Sequence, residues 1–131
     1  MGQQKLLLVL ALGALVGCGG SKKYTWPAVE VPSRGTVVEG MASWYGPGFH
    51  GKQTASGETY DMDDLTAAHL YWAFGTRVKV TLIETGATAV VRVNDRFPGH
   101  KGRVIDLSRG AARAIGLIGP GVAKVRLEIL G

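Results

Sequence analysis

Cysteine is almost missing from this chain, with Cys18 the only one in 131 residues, so no intramolecular disulfide can hold the fold and the core must do so. Acids are also scarce: ten Asp and Glu stand against fifteen Lys and Arg, for a formal net charge of +5. There is no phosphate-binding glycine loop, no Gly-x-Ser-x-Gly elbow and no metal-spaced set of His and Cys. His50, His69 and His100 lie on separate segments, so nothing in the sequence calls for a metal or another cofactor. The surplus is mildly basic and no run of arginines or lysines stands out, which argues against nucleic acid as a partner and suits an acidic polymer such as cell-wall material better. At this length one small domain is expected.

The longest apolar run, Leu6 to Val16 behind Lys5, is too short for a membrane span and reads as the core of an export signal. Cys18 follows Leu15-Val16-Gly17, a junction that resembles the lipobox of bacterial lipoproteins. The expectation is a signal peptide over 1–17, a lipidated Cys18 that anchors the chain to a membrane, and a flexible tether over 18–35. A diacylglyceryl group with an added acyl chain suffices for stable anchoring. Gly19 in place of an acid resembles the sorting pattern of the outer membrane, which implies a periplasmic, lipid-anchored protein. Residues 19–35 mix Gly, Ser, Pro and charge without apolar periodicity and would span roughly 20 to 50 Å.

Over 36–131 the dominant period is two. "RVKVTLI" sets Val78, Val80 and Leu82 against Arg77, Lys79 and Thr81, and "AKVRLEIL" sets Val125, Leu127 and Ile129 against Lys124, Arg126 and Glu128. "TAVVRVND", "RVIDLS" and "VVEGMASWYG" complete five strands, the last with glycines that predict a bulge or close packing, and Gly86 marks a hairpin turn. One helix is expected over Arg109–Ile115, capped by Ser108 and stopped by Gly116. Many short strands with one small helix predict an all-β closed barrel, since closure removes exposed edges. "LTAAH" and "IDLSRGAA" each precede a strand, an echo that suggests two interlocking halves.

Chemistry falls to carboxylates. Asp95 ends an apolar strand at a turn-rich segment, where a rigidly held proton donor would sit, and it could equally cap its own turn. Arg92 and Arg96 are odd numbers of positions away and should point to the other face. Glu58 and Asp61 follow "TASG" in an acid-rich segment that ends at His69. Trp44, Tyr45, Phe49, Tyr71, Trp72 and Phe97 lie beside glycine-rich turns, where they would either face sugar rings or plug the barrel ends.

The ordered set "SWYG", "TASGE", "LTAAH", "FGT", "VNDR" and "IDLS" resembles the rare lipoprotein A family of double-psi β-barrel proteins over nearly all of residues 40–130. The resemblance implies a six-stranded double-psi barrel with one or two short helices, and an endolytic lytic transglycosylase that cleaves peptidoglycan glycan strands with formation of 1,6-anhydro ends. It implies Asp95, Glu58, Asp61 and His69 as catalytic-groove residues, with Trp44, Tyr45, Tyr60, Asn94 and Arg96 as substrate contacts. Envelope or cell-division proteins are the further partner class, and a non-cleaving, expansin-like wall-binding module is the alternative. Two segments depart from the family: Phe97-Pro98-Gly99-His100 replaces the usual Gly-Pro-Phe, and Leu70-Tyr71-Trp72-Ala73 the usual Arg-Thr-Leu-Pro. The C-terminal peptidoglycan-binding repeat of many members does not appear in these residues, so septal targeting is not carried over.

Overall fold

The computed structural model describes residues 27–131. The signal sequence, Cys18 and the first part of the tether lie outside the described residues. Six strands form the barrel: β1 Val37–Trp44, β2 Thr66–Ala68, β3 Arg77–Leu82, β4 Thr88–Asp95, β5 Arg103–Leu107 and β6 Ala123–Ile129. They close into a six-stranded barrel, as the resemblance implied, in the order β1-β5-β2-β4-β3-β6. A 3-10 turn at Pro47–Phe49 follows β1, and helix α1, Arg109–Ile115, follows β5.

Pairing explains why the barrel closes. β1/β5 and β2/β4 are parallel, while β1/β6, β3/β4, β3/β6 and β2/β5 are antiparallel. Exchanging β1 with β4, β2 with β5 and β3 with β6 leaves this scheme unchanged, so the chain is built as two interlocked halves. Each parallel pair carries one register irregularity, at Met41/Ala42 and at Ala67/Ala68. The echo in the sequence corresponds to this symmetry: Ala67 lies opposite Leu107 where β2 and β5 cross. The helix sits only in the second half, so the two echoes stand at different distances from the strands that follow.

Alternation supplies the core. Val78, Val80, Leu82, Val91, Val93, Ile105, Leu107, Val125, Leu127 and Ile129 point inward and are buried. Truncating a residue such as Leu107 to Ala would cost about 2–5 kcal/mol, because it is fully enclosed and its neighbours cannot all collapse into the space. Ser108 accepts from the Ala111 amide at the start of α1, Gly116 ends it at φ 82°, and Ala111, Ala112 and Ile115 face the core. Gly40 has no room for a Cβ beside Val104, which is the close packing its position predicted.

The segment read as a flexible tether is in part fixed. The Glu30 amide donates to the Tyr71 carbonyl at 2.7 Å and the Ala73 amide to the Glu30 carbonyl at 2.8 Å, while Pro32 is buried and the Gly35 amide reaches Ile129. Residues 27–35 therefore form a strap on the Leu70–Ala73 loop.

Candidate active site

Two connections of unequal length shape one end of the barrel: residues 45–65 after β1 and residues 96–102 after β4. Between them lies a cavity of about 260 Å³ lined by Tyr45, Phe49, Ala68, Asp95, Arg96, Phe97, Pro98 and Asp106. Asp95 is thus on an opening and not in the hydrophobic interior. It arrives there as the last residue of β4, where the pairing of Ala68 with Asp95 fixes the backbone and the His69 amide donates to the Asp95 carbonyl at 3.0 Å.

The Asp95 carboxylate is held asymmetrically. Oδ1 accepts from the Arg96 amide at 2.8 Å and the Ala55 amide at 2.9 Å. Among the described residues, Oδ2 has only the Tyr45 hydroxyl, which donates from 3.5 Å. Turn-capping and site placement, posed as alternatives for this residue, occur together on its two oxygens.

A second carboxylate, Asp106 on β5, lines the same cavity. Nη2 of Arg103 donates to both of its oxygens, at 2.7 and 2.9 Å, and the Ser43 hydroxyl donates to Oδ1 at 2.5 Å. The Arg103 guanidinium also lies over Phe97, 5.7 Å from its ring centre. Sequence reasoning read "RVIDLS" as a strand and gave Asp106 no role. An acid amid apolar strand residues, three after an arginine, was the available signal.

Arg96 corrects an expectation. Alternation ends with the strand, so Arg96 turns into the cavity beside Asp95 instead of away from it. Its guanidinium rests 4.1 Å from the Phe74 ring centre, and Nη1 reaches the carbonyls of His69 and Asp95 at 3.4 and 3.5 Å. Arg92 does point away: it pairs with Glu58 at 2.5 Å and Asp64 at 3.4 Å.

The other expected catalytic residues, Glu58, Asp61 and His69, do not line the cavity with Asp95. Glu58 is exposed outside the cavity lining, with Oε1 accepting from Asn94 Nδ2 at 2.6 Å; that bond above all holds its carboxyl below the usual value, against the opposing effect of burial and with Arg92 adding to it. Asp61 accepts the Asp63 amide at 2.9 Å and so folds its own exposed turn. Asp63 lies 3.9 Å from Arg109 and 4.0 Å from Arg113 on α1. The acid-rich segment is thus matched to basic groups on β4 and α1 and does not form the second wall of the cavity.

His69 is buried against Trp72, with parallel rings 3.8 Å apart, and is not among the lining residues. Its Nδ1 accepts the Tyr71 and Trp72 amides, both at 3.1 Å, which puts the proton of the neutral ring on Nε2. Burial, and then the charge of Arg96, lower its pKa to about 4.

Of the expected sugar contacts, only Tyr45 and Arg96 line the cavity. Trp44 packs on the core and over Gly46, where a Cβ would meet its ring at 2.9 Å. Asn94 is buried behind Glu58. Tyr60 is buried under Tyr45, ring centres 4.6 Å apart; its hydroxyl donates to the Tyr45 carbonyl at 3.0 Å and accepts the Arg109 amide at 3.1 Å. Phe49 meets the Tyr45 ring edge-on at 5.7 Å and is 54% exposed. Aromatic walls with two carboxylates and a cation can hold one sugar-sized, hydroxyl-rich group and move a proton to it.

Comparison with known proteins agrees with this construction. The chain is 60% identical over 94 residues to the "Probable endolytic peptidoglycan transglycosylase RlpA" of Synechocystis sp., covering 72% of this chain and 29% of that protein. It is 46% identical over 117 residues to the "Endolytic peptidoglycan transglycosylase RlpA" of Vibrio cholerae, covering 86% of this chain and 44% of that one. The chain thus spans well under half of the length of these relatives. Among solved structures, the Streptomyces papain inhibitor superposes with a TM-score of 0.64 at 22% identity, over 78% of this chain and all of that one. The expansin of Clavibacter michiganensis gives 0.58 at 24% identity, over 73% of this chain and 51% of that one. These two likenesses speak for the fold alone. The family model described as "Lytic transglycolase" matches residues 37–127, from the first residue of β1 into β6, and the chain belongs to that double-psi β-barrel family.

Proposed function

We propose that this domain cleaves the glycan strands of peptidoglycan as a lytic transglycosylase. One observation carries the reading: Asp95 sits on a sugar-sized cavity with Oδ1 fixed by two amides and Oδ2 bonded, among the described residues, by the long Tyr45 contact alone. In its protonated form Asp95 donates from Oδ2 to the glycosidic oxygen as the bond to C1 of N-acetylmuramic acid breaks. The carboxylate then takes the proton of that sugar's own C6 hydroxyl as the C6 oxygen bonds to C1. Proton and atoms balance without water, so the carboxylate spacing of hydrolytic glycosidases does not apply.

The remaining groups have supporting parts. Tyr45 and Phe49 offer aromatic surface to the sugar, with Phe97 buried behind them in the lining. Asp106, tied to Arg103 and Ser43, accepts hydrogen bonds from sugar hydroxyls and adds negative potential where positive charge develops at C1. Arg96 supplies a cation for acidic substituents of the strand. Glu58 and His69 act at one remove, Glu58 by bracing β4 through Arg92 and Asn94, His69 by holding the Tyr71–Trp72 turn. The same reading places the protein in the periplasm, anchored through Cys18 to the outer membrane, with wall material as its partner. The relatives named for peptidoglycan transglycosylase activity support the cleavage itself.

The test is digestion of purified peptidoglycan by residues 19–131, with products read by mass spectrometry. Fragments ending in 1,6-anhydro sugar are expected, and none from Asp95→Asn. Sedimentation with wall material but no released fragments, where an active relative releases them, would replace this reading with the non-cleaving, wall-binding one.

A further inference from the structure

Tyr45 is placed for more than contact with a sugar. Its backbone is pinned on both sides, since its amide donates to the Leu107 carbonyl at 3.0 Å and its own carbonyl accepts the Tyr60 hydroxyl at 3.0 Å. Its ring is clamped between the stacked Tyr60 and the edge-on Phe49. Tyr60 is held in turn by the amide that begins α1. The chain therefore spends one buried and one exposed aromatic ring and a helix terminus on fixing where one phenol oxygen stands. That oxygen stands 3.5 Å from Oδ2 of Asp95.

We infer that Tyr45 is a positioning residue for the proton on Asp95, its hydroxyl serving as the dedicated partner of Oδ2. The inference rests on the transglycosylase reading for its kinetic consequence, though not for its physical one. While Asp95 is a carboxylate the phenol donates to it, which steadies the conjugate base left after the first transfer. When Oδ2 carries the proton, that bond is released and the 3.5 Å gap leaves the acid aimed at the cavity. The phenol itself does not give up its proton: burial, and next the charge of Asp95, push its pKa upward. It is a donor throughout the working range.

The other charged and titratable groups around Asp95 already have partners or stand off. Arg96 lies on Phe74, Asp106 is tied to Arg103, Glu58 to Arg92 and Asn94, and His69 offers Asp95 its backbone amide while its ring faces Trp72. Tyr45 is the one side chain bonded to the Asp95 carboxylate among the described residues.

Tyr45→Phe keeps the ring and deletes the hydroxyl. The Asp95 titration is followed by carbon-13 NMR of protein labelled at the aspartate side-chain carboxyl, with the signal assigned by its loss in Asp95→Asn. The expected result is a midpoint for Asp95 moved upward in Tyr45→Phe, because a donor to the charged form is gone. In turnover, kcat falls about fivefold to tenfold with KM within about twofold, and the alkaline limb of the pH–rate profile moves upward with the NMR midpoint. An unchanged or lowered midpoint overturns the inference. If Tyr45→Phe does not fold, Tyr60→Phe takes its place, removing the hydroxyl that pins the Tyr45 carbonyl while leaving the Tyr45 phenol; a smaller upward movement is expected, and none overturns the inference. The titration needs no turnover, so a wild-type protein that forms no anhydro ends refutes the function and leaves the Tyr45 result standing on its own.

Discussion

The two carboxylates of the cavity stand on the two symmetry-related parallel pairs, at positions the symmetry does not interchange, and are held in opposite ways. Asp95 ends β4 of the β2/β4 parallel pair, and Asp106 lies on β5 of the β1/β5 parallel pair. Asp106 has a guanidinium across both oxygens and a serine hydroxyl besides. Asp95 has amides on one oxygen and a long phenol contact on the other. A group bridged across both oxygens by a permanent cation serves as a fixed negative charge, whereas one with a lightly held oxygen can exchange a proton with a ligand. Environment, more than residue type, divides the labour between two identical side chains.

The sharpest way to break that division is Asp95→Asn. It should lower release of 1,6-anhydro products by about 10²–10⁴-fold, read by mass spectrometry, with little change in the thermal midpoint. A comparable loss of turnover in Asp106→Asn with undiminished activity in Asp95→Asn would invert the assignment. Next in size, Arg103→Met strands the nearly buried Asp106 carboxylate and should cost about 3 kcal/mol in urea unfolding, while leaving the Asp95 titration in place.

A third measurement concerns the wall behind Asp95. His69 is neutral in the fold and its pKa lies near 4, below the ordinary 6.5, so the unfolded chain binds the proton more readily. Stability should therefore be constant with respect to this group above about pH 6.5 and fall as the pH drops toward 4, by about 2 kcal/mol at pH 5. His69→Asn, which keeps an acceptor for the Tyr71 and Trp72 amides, should flatten that slope. Glu58 shows the smallest effect. Its lowered pKa gives a contribution present above about pH 4.5 and lost as the pH falls below it, and because the pair with Arg92 is largely exposed, Glu58→Gln should cost under ~1 kcal/mol.

Much of the barrel was readable because its strands alternate cleanly, as in Val78-Lys79-Val80 and Val125-Arg126-Leu127, and because Ser108 and Gly116 bracket the helix. β2 was not, because Thr66–Ala68 is three residues long and buried throughout, which leaves no alternation to detect. Its resemblance to "IDLS" was the only trace. Asp95 was readable from its place at a strand end. Asp106 was not, since what distinguishes it is Ser43, a partner 63 residues away. The acids of 58–64 looked like a site for the same reason in reverse: the arginines that answer them, Arg92, Arg109 and Arg113, are remote in sequence. Arg96 was misjudged where a period-two rule was carried one residue past the end of its strand.

The strap at residues 27–35 gives the domain a mechanical order of events. A pull on its leading end is borne first by the two bonds between Glu30 and the Tyr71–Ala73 loop, and only afterward by the bond from Gly35 to Ile129 at the barrel wall. Traction from that side would peel the strap and bare the loop over His69 before any strand of the closed sheet comes under load.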